Sequence, residues 1–356
     1  MATRWFVTGG AGFIGANFVR GLLARRRDSH VTVYDALTYA GHEISLDGCA
    51  KTGRFALVRG DVCDADALDA ALRDASPDVI VHMAAESHVD RSIHGPAPFL
   101  RTNVDGTFRV LEAVRARPGL RVAVVSTDEV YGSLGPTGRF VEGMPLAPSS
   151  PYSASKAAAD LLTLAYVHTY GLDAVITRCS NNYGPYQMPE KLIPLMILSA
   201  LRDQPLPVYG DGMNVRDWIF VDDHCAGIEL AAERGRAGRE YNFGGECEKP
   251  NLEVVETILR KLDKPRSLIR FVTDRPGHDR RYAMDIARAT EELGFRPSVD
   301  FETGMERTLR WYQGNLDWCA AVEDERHRTH MRANYETRLE GGAAPSTARA
   351  ASEETR

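Results

Sequence analysis

Two patterns of apolar residues alternate along the first half of the chain. Short runs are apolar throughout, and the longer stretches between them repeat an apolar residue every three or four positions. Trp5-Phe6-Val7-Thr8 reads as a buried strand, and Phe18, Val19, Leu22 and Leu23 as one face of the helix after it. Further strands are expected at Val31 to Tyr34, Phe55 to Val58, Val79 to His82, Val122 to Val125 and Ala174 to Thr177. Helical patterns run through Leu68, Ala71 and Leu72, from Asn103 to Arg115 and from Tyr152 to Tyr170. Strands apolar on both faces belong to a parallel sheet covered on both sides, so the pattern predicts an α/β fold with a Rossmann-type doubly wound parallel sheet.

Regular alternation stops near Arg178. From there we expect a smaller α/β lobe, with helices over Leu192 to Leu201 and Leu252 to Leu262, a loop at Pro205 to Gly212, and Glu302 to Tyr312 as the last packed helix. The stretch from Trp218, with the acidic turn Asp222-Asp223-His224 and a helix to Ala232, is expected to return to the first domain. The divisions are then 1–178 with the return segment at about 218–244, and 179–217 with 245–322 as the second lobe. Residues 323–356 are charged, then rich in Ala, Gly, Ser and Thr, and read as a disordered tail.

Composition narrows the function. Of 356 residues, 44% are hydrophobic and 26% charged, and the formal net charge is −6, which argues against a nucleic-acid or anionic-membrane surface and for a small-molecule substrate. The six cysteines (Cys49, Cys63, Cys179, Cys225, Cys247, Cys319) are scattered without a C-x-x-C pair, so neither disulfide nor metal site is expected. The chain passes from Met1 into a strand with no room for a signal peptide, and no apolar run is long enough to span a membrane, so the expected location is cytoplasmic. The helices at Asn103 to Arg115 and Tyr152 to Tyr170 carry apolar residues on more than one face, which calls for a homodimer covering them.

The first strand is followed by Gly9-Gly10-Ala11-Gly12-Phe13-Ile14-Gly15. Glycines spaced G-x-x-G-x-x-G between strand and helix let the backbone approach a pyrophosphate, whose charge the first-turn amides then hold. Asp35 ends the second strand about twenty residues on. A carboxylate there accepts from both ribose hydroxyls and repels a 2′-phosphate, which favours NAD; Arg25 to Arg27 read as a solvated helix end. Asp61 suits either an adenine amino group or a helix cap. Met83-Ala84-Ala85 is a small-residue turn where a cofactor lies close to the chain. In Glu86 to Ser92 only Ser87 is placed to touch a substrate, since His88 and Asp90 equally suit a local loop.

The run Val122 to Val125 ends abruptly in Ser126-Thr127-Asp128-Glu129-Val130-Tyr131-Gly132. Parallel strands present reacting groups at their carboxyl ends, so a hydroxyl and two carboxylates arriving there are well placed for chemistry. Downstream, Ser149-Ser150-Pro151 starts a helix with Tyr152 in its first turn and Lys156 one turn later on the same face. An unperturbed phenol titrates near ~10 and is a poor base at neutral pH; a neighbouring ammonium and a helix N-terminus are expected to lower it.

Together the glycine loop, Tyr152-x-x-x-Lys156 and Thr127-Asp128-Glu129 resemble the extended short-chain dehydrogenase/reductase superfamily, and within it the nucleotide-sugar 4,6-dehydratases acting on dTDP-glucose. The likeness covers Arg4 to about Trp311 and includes Ala84 to Ser92, Ser126 to Gly132, Asn181 to Tyr186, Pro189-Glu190-Lys191-Leu192 and Arg275 to Asp279. It implies Tyr152 as the base at the C4 hydroxyl, Lys156 as its activator and a ribose ligand, Thr127 as a partner at O4, Asp128 as the acid at C6 and Glu129 as the base at C5. It further implies Asp35, Asp61, Val62, Thr102 and Asn182 around NAD. Around the nucleotide sugar it implies Ser87, Asn181, Lys191, Leu192, Pro207, Tyr209, Arg216, Asn251, Arg275 and His278. Gly245 to Pro250 departs from the usual family string, which bears on the nucleotide base. The alternatives are a UDP-sugar dehydratase or 4-epimerase on the same fold, and a non-catalytic NAD-sensing regulator, which has no need of the tyrosine and lysine.

Overall fold

A computed structural model of the protein describes residues 3–323; most of the expected C-terminal tail, and Met1, lie outside them. Among the described residues twelve strands follow one another: β1 (Arg4–Thr8), β2 (His30–Asp35), β3 (Phe55–Arg59), β4 (Val79–His82), β5 (Arg121–Thr127), β6 (Ala174–Cys179), β7 (Asn181–Tyr183), β8 (Leu206–Tyr209), β9 (Val215–Phe220), β10 (Glu240–Phe243), β11 (Glu248–Pro250) and β12 (Ile269–Val272). Seven of them form one parallel sheet in the order β3-β2-β1-β4-β5-β6-β10. Its strands feed alternate residues to two cores. Trp5, Val7, Val31, Val33, Val79, Val81, Ala123 and Val125 pack on one face, and Phe6, Tyr34, Ile80, Val122 and Val124 on the other. Both faces are therefore dry, which is why these strands read as unbroken apolar runs.

The order reverses between β1 and β4, so the crossover connections diverge there and leave a crevice at the carboxyl ends of the strands. After β9 the chain returns to this sheet. The helix Val221–Arg234 packs beside the first helix, Phe13–Arg25, and β10 adds to β6. Arg25 and Arg26, expected to be merely solvated, are tied to Glu229 and Glu233 of that returning helix. In β9, Trp218 to Phe220 pair with β7 and Val215 to Asp217 with β11, within a separate three-stranded sheet.

The smaller lobe has its own core, built from the helices Leu192–Leu201, Asn251–Lys261 and Phe301–Gly314. Two expectations change here. Pro205 to Gly212 contains β8, paired in parallel with β12. Pro207 is tolerated because β8 pairs on one side only, leaving its missing N–H without consequence. Tyr312 does not end the fold either, since a further helix, Leu316–Val322, buries Trp318, Cys319 and Val322 in the lobe's core.

Candidate active site

The crevice is built first by glycines. Gly9 has φ +70°, and a Cβ there would stand 2.6 Å from the Ala84 amide nitrogen; one on Gly15 would stand 2.3 Å from the Gly9 carbonyl oxygen. Backbone packing demands both. Gly12 differs: its backbone is extended, and a Cβ would meet nothing nearer than 3.4 Å. What its missing side chain leaves open is the wall of a cleft of about 690 Å³. As N-cap of the helix Phe13–Arg25 it also brings no side chain to bond the first-turn amides, which keeps them for an anion.

Asp35 closes this corner. It accepts from the amides of Ala11 (2.9 Å) and Leu37 (2.8 Å), one on each oxygen, so it pins the glycine loop and still has a lone pair per oxygen to offer hydroxyls. Burial holds its carboxyl above the ordinary range. The same cleft is walled by Phe13, Ile14, Asp61, Val62, Ala84, Ala85 and Thr102, the last on a widened helical turn, Leu100–Asp105. Asp61 is not the helix cap; Asp64 is, accepting from Ala67, while Asp61 bonds the Cys63 amide and pairs with Arg101. Open glycine wall, uncapped amides and carboxylate together fit a dinucleotide.

Asn182 is the exception. Its amide nitrogen donates to Ser180 and its carbonyl oxygen is engaged by His224 at 2.9 Å, so the side chain is committed within the protein and not to the cleft.

Thr127, Tyr152 and Lys156 line the same cleft, and Asp128 and Glu129 follow Thr127 directly. Thr127 ends β5, and the tight turn Asp128–Tyr131 follows; the Thr127 hydroxyl accepts from the Glu129 amide and donates to Asp128 at 3.2 Å. Ser150 and Ser153 cap each other's amides reciprocally and Pro151 opens the helix Pro151–Tyr170, which sets Tyr152 in its first turn. Lys156 docks this helix on the sheet, its ammonium donating to the Val125 carbonyl at 2.8 Å. Tyr152 thereby lines the same cleft as Thr127, whose hydroxyl opposes the rise of the phenol.

Electrostatics separate the two acids. Burial holds Asp128 well above the usual carboxylate range, with Glu129 and Asp217 reinforcing it and Arg216 opposing. Glu129 is also raised by burial, but three cations face it, Arg275, Arg216 and Lys191. The expectation of a lowered phenol is reversed in the protein by itself: burial, then Glu129, raise Tyr152 well above its ordinary value, while burial lowers Lys156 against the pull of Asp160. Loss of hydration outweighs the helix N-terminus and the ammonium, which is engaged by a carbonyl.

The residues expected around a sugar nucleotide converge on the acids from the smaller lobe. Lys191 donates to the Ser87 carbonyl at 3.2 Å. Arg216 is buried, donates to the Asp279 carbonyl and lies 4.2 Å over the Tyr282 ring. His278 bonds Asp274 and meets Tyr209 edge-on, two residues along β8 from the buried Pro207. Leu192, first in its helix, is half-buried against the small core. The buried side-chain amide oxygens of Asn181 and Asn251 have no hydrogen-bond partner among the described residues, which marks them for a ligand. Farther along the same segment as Arg275, Arg280 and Arg281 form outer ion pairs with Asp211 and Glu248.

Sequence reasoning missed several groups. Asp90, left as a local loop residue, accepts from both Tyr209 and Arg275. Glu190 is 2% exposed beside Arg91 (3.6 Å) and His88 (3.9 Å), and Arg91 lies 3.9 Å over the Tyr39 ring in the cleft wall. The signal for Glu190 was available: a charge between Met188 and Leu192, just before an apolar helix, is a candidate for burial.

The chain matches the family model described as GDP-mannose 4,6 dehydratase over residues 6–308. It is 52% identical over 346 residues to a dTDP-glucose 4,6-dehydratase of Xanthomonas campestris pv. campestris (strain B100), covering 92% of this chain and 98% of that one. Among solved structures, a dTDP-glucose 4,6-dehydratase of Streptomyces venezuelae crystallised with NAD has a TM-score of 0.87 at 50% identity. One from Bacillus anthracis str. Ames in complex with NAD has 0.86 at 47%. Both matches cover 90% of this chain and all of the other. A UDP-glucose 4-epimerase of Thermus thermophilus shares the fold at TM-score 0.82, but only 30% identity. Identity near one half over almost the whole length, on a fold that brings the tyrosine, lysine and acid pair together, shows that this chain belongs to the dTDP-glucose 4,6-dehydratase family of the extended short-chain dehydrogenase/reductase superfamily.

Proposed function

We propose that the protein converts dTDP-glucose to dTDP-4-keto-6-deoxyglucose and water, as an NAD-dependent nucleotide-sugar 4,6-dehydratase. The observation that carries this reading is the meeting of Asp128 and Glu129 with Tyr152 and Thr127 at one end of a glycine-walled cleft. An epimerase needs the tyrosine and lysine but has no use for a second acid-base pair beside them. The family model carries the name of a GDP-sugar enzyme, yet the relatives at 44–52% identity act, by name, on dTDP-glucose.

In this reading residues 1–178 and about 218–244 bind NAD, while 179–217 and 245–322 hold the nucleotide sugar. Asp35 takes the ribose hydroxyls, and the amides of Phe13 and Ile14 at the helix N-terminus take the pyrophosphate. NAD held there would supply a hydride acceptor for C4, a hydride donor for C6, and positive charge that favours the Tyr152 phenolate. Tyr152 takes the proton of the C4 hydroxyl, with Thr127 bonding the same oxygen and Lys156 supplying positive charge behind it. The 4-ketone acidifies the C5 hydrogen. Glu129, with three cations facing it, removes that proton, while Asp128, held protonated by burial and by Glu129, donates one to the departing C6 hydroxyl. The different surroundings of two adjacent carboxyls thus assign base and acid.

A homodimer belongs to the same proposal. Leu161 (58% exposed), Leu100 (56%) and Tyr170 (53%), with the half-buried Val104 and Phe108, lie on two neighbouring helical segments, an apolar surface suited to a second copy. Among the described residues no helix is long and apolar enough to cross a membrane; a cytoplasmic location is part of the proposal, supported by the cysteine pattern of the sequence. The deciding assay supplies dTDP-glucose and UDP-glucose separately and follows the alkali-dependent absorbance of a 4-keto-6-deoxy sugar. Turnover of UDP-glucose alone, or an epimer as product, would reject the reading.

A further inference from the structure

Behind the reacting groups lies a buried charged cluster that the mechanism does not use. Asp160 is 0% exposed and Arg178 1%, and the guanidinium donates to the carboxylate at 2.8 Å. Arg178 also donates to the Tyr131 hydroxyl at 2.8 Å and lies over that ring, and the hydroxyl donates onward to Asn242 at 2.9 Å. A buried ion pair is a poor device for stability, because desolvation offsets most of its attraction; an apolar trio of equal volume would serve a core as well.

Its position suggests another role. Asp160 stands one helical turn beyond Lys156, on the same face of the helix Pro151–Tyr170. Tyr131 is the last residue of the turn that begins with Asp128 and Glu129. Arg178, on β6 beside Cys179 of the cleft, touches both. The cluster therefore joins the helix carrying one half of the chemistry to the turn carrying the other.

We propose that Asp160, Arg178 and Tyr131 are positioning residues: Asp160 is the buried counter-charge that keeps Lys156 an ammonium, and Arg178 through Tyr131 holds the acid-pair turn in register with it. The inference rests on the dehydratase reading above.

Other groups act on Lys156 as well. His82 of β4, itself buried and held neutral, and Cys179 of β6 face it, and Tyr152 lies one turn back on its own helix. Of these Asp160 is the one carboxylate, and its pull favours the ammonium against burial. Burial raises the Asp160 carboxyl, and Arg178, donating to it at 2.8 Å, opposes that rise and favours its ionised form. Removing Asp160 leaves an ammonium with no anion behind it; removing the Tyr131 hydroxyl leaves the charge pair intact but frees the turn.

The test uses the full-length protein and dTDP-glucose deuterated at C4 or at C5. Asp160→Asn keeps the shape and removes the charge. Its kcat is expected to fall about tenfold, with the alkaline limb of the pH profile moving down by about one pH unit and the isotope effect of the C4 label growing. Tyr131→Phe keeps the ring. Its kcat is expected to fall about tenfold with KM within about twofold, and here the C5 label is the one whose isotope effect grows. Unmoved isotope effects together with an unmoved pH limb overturn the proposal, whatever the loss of rate, because a cluster that merely holds the fold together would not redistribute them. Should Asp160→Asn fail to fold, Tyr131→Phe decides alone, and a wild-type kcat or an unchanged C5 isotope effect overturns it. Wild-type protein that leaves a C4 label in place overturns the dehydratase reading first, and this inference with it.

Discussion

Arg275 donates to Asp90 at 3.2 Å across 185 positions of chain, joining the loop that follows β12 to the segment that follows β4. The second oxygen of Asp90 accepts from the Tyr209 hydroxyl, also at 3.2 Å. One buried carboxylate thus orients an arginine and a tyrosine from the smaller lobe, and the same arginine faces Glu129. Asp90 partly offsets the arginine's charge and fixes its direction. Asp90→Asn is expected to raise KM for the nucleotide sugar about tenfold, the loss of roughly one charge-assisted hydrogen bond, with kcat within about twofold. Steady-state kinetics check it; an unchanged KM would mean that Arg275 needs no such orientation.

Gly12 and Gly15 should separate in their effects. An alanine Cβ at position 15 would press on the Gly9 carbonyl at 2.3 Å, a contact that only backbone movement relieves. Gly15→Ala is expected to lose about 2 kcal/mol of stability or more. Gly12→Ala has room and an ordinary extended conformation, so its thermal unfolding should match wild type, while the methyl narrows the cleft and weakens NAD binding about tenfold. Calorimetric titration with NAD, beside a melting curve, reads both. A destabilised Gly12→Ala with normal NAD affinity would invert the assignment.

These residues also show what can be read in a sequence and what cannot. The seven-stranded sheet is legible because both its faces are dry, and Tyr152 and Lys156 because their spacing is local. β8 is masked by Pro207, an edge position where the missing donor costs nothing. The helix Leu316–Val322 is too short to show a helical period twice and is held by Trp318 against a core formed elsewhere. Asp90, Asp160 and Asp217 acquire meaning only through partners far along the chain, Arg275, Arg178 and the segment Gly244 to Cys247. The phenol illustrates a different limit: its place in the first turn of a helix is legible in the sequence, but burial sets the sign of its shift.

Asp217 offers a pH test. It is 1% exposed and accepts from the Cys247 amide, and burial pushes its carboxyl up to about 6. A carboxyl raised on folding favours the folded state fully below its unfolded value and loses that contribution as pH rises through about 6. Asp217→Asn removes this dependence. The stability of the variant relative to wild type should therefore climb between pH 4 and pH 7 by up to about 3 kcal/mol, then level off. Denaturant unfolding at a series of pH values measures it, and a flat difference would show that Asp217 does not titrate in this window.

The exposed leucines test the dimer. Leu161 and Leu100 are each more than half exposed on neighbouring segments, and a carboxylate placed there could not be buried against a second copy without large cost. Leu161→Asp is expected to sediment as a monomer at micromolar concentration where wild type sediments as a dimer. Because the site faces outward, the melting curve of the isolated monomer should stay cooperative. Wild-type protein that is already monomeric would reject the dimer outright.

The sharpest prediction concerns Glu129, because its charge acts on both neighbours. As a carboxylate it raises Asp128 and Tyr152, so replacing it with the neutral isostere does more than delete a base. Glu129→Gln leaves Tyr152, Lys156 and Thr127 in place and eases ionisation of the phenol, so removal of the C4 hydrogen should proceed at least as readily as in wild type. Loss of the C5 proton then has no base. Overall turnover is expected to fall by about a thousandfold, within the usual contribution of a positioned general base. Isotopes separate the two halves. Wild type should move deuterium from C4 into the C6 methyl group of the same sugar, and in heavy water should place solvent deuterium at C5. The variant should form a stable near-ultraviolet absorbance of reduced cofactor on addition of substrate, yet incorporate no solvent deuterium at C5. C5 exchange at the wild-type rate would remove Glu129 from the role of base and leave Asp128, more deeply buried and more strongly held in its protonated form, as the wrong group to replace it.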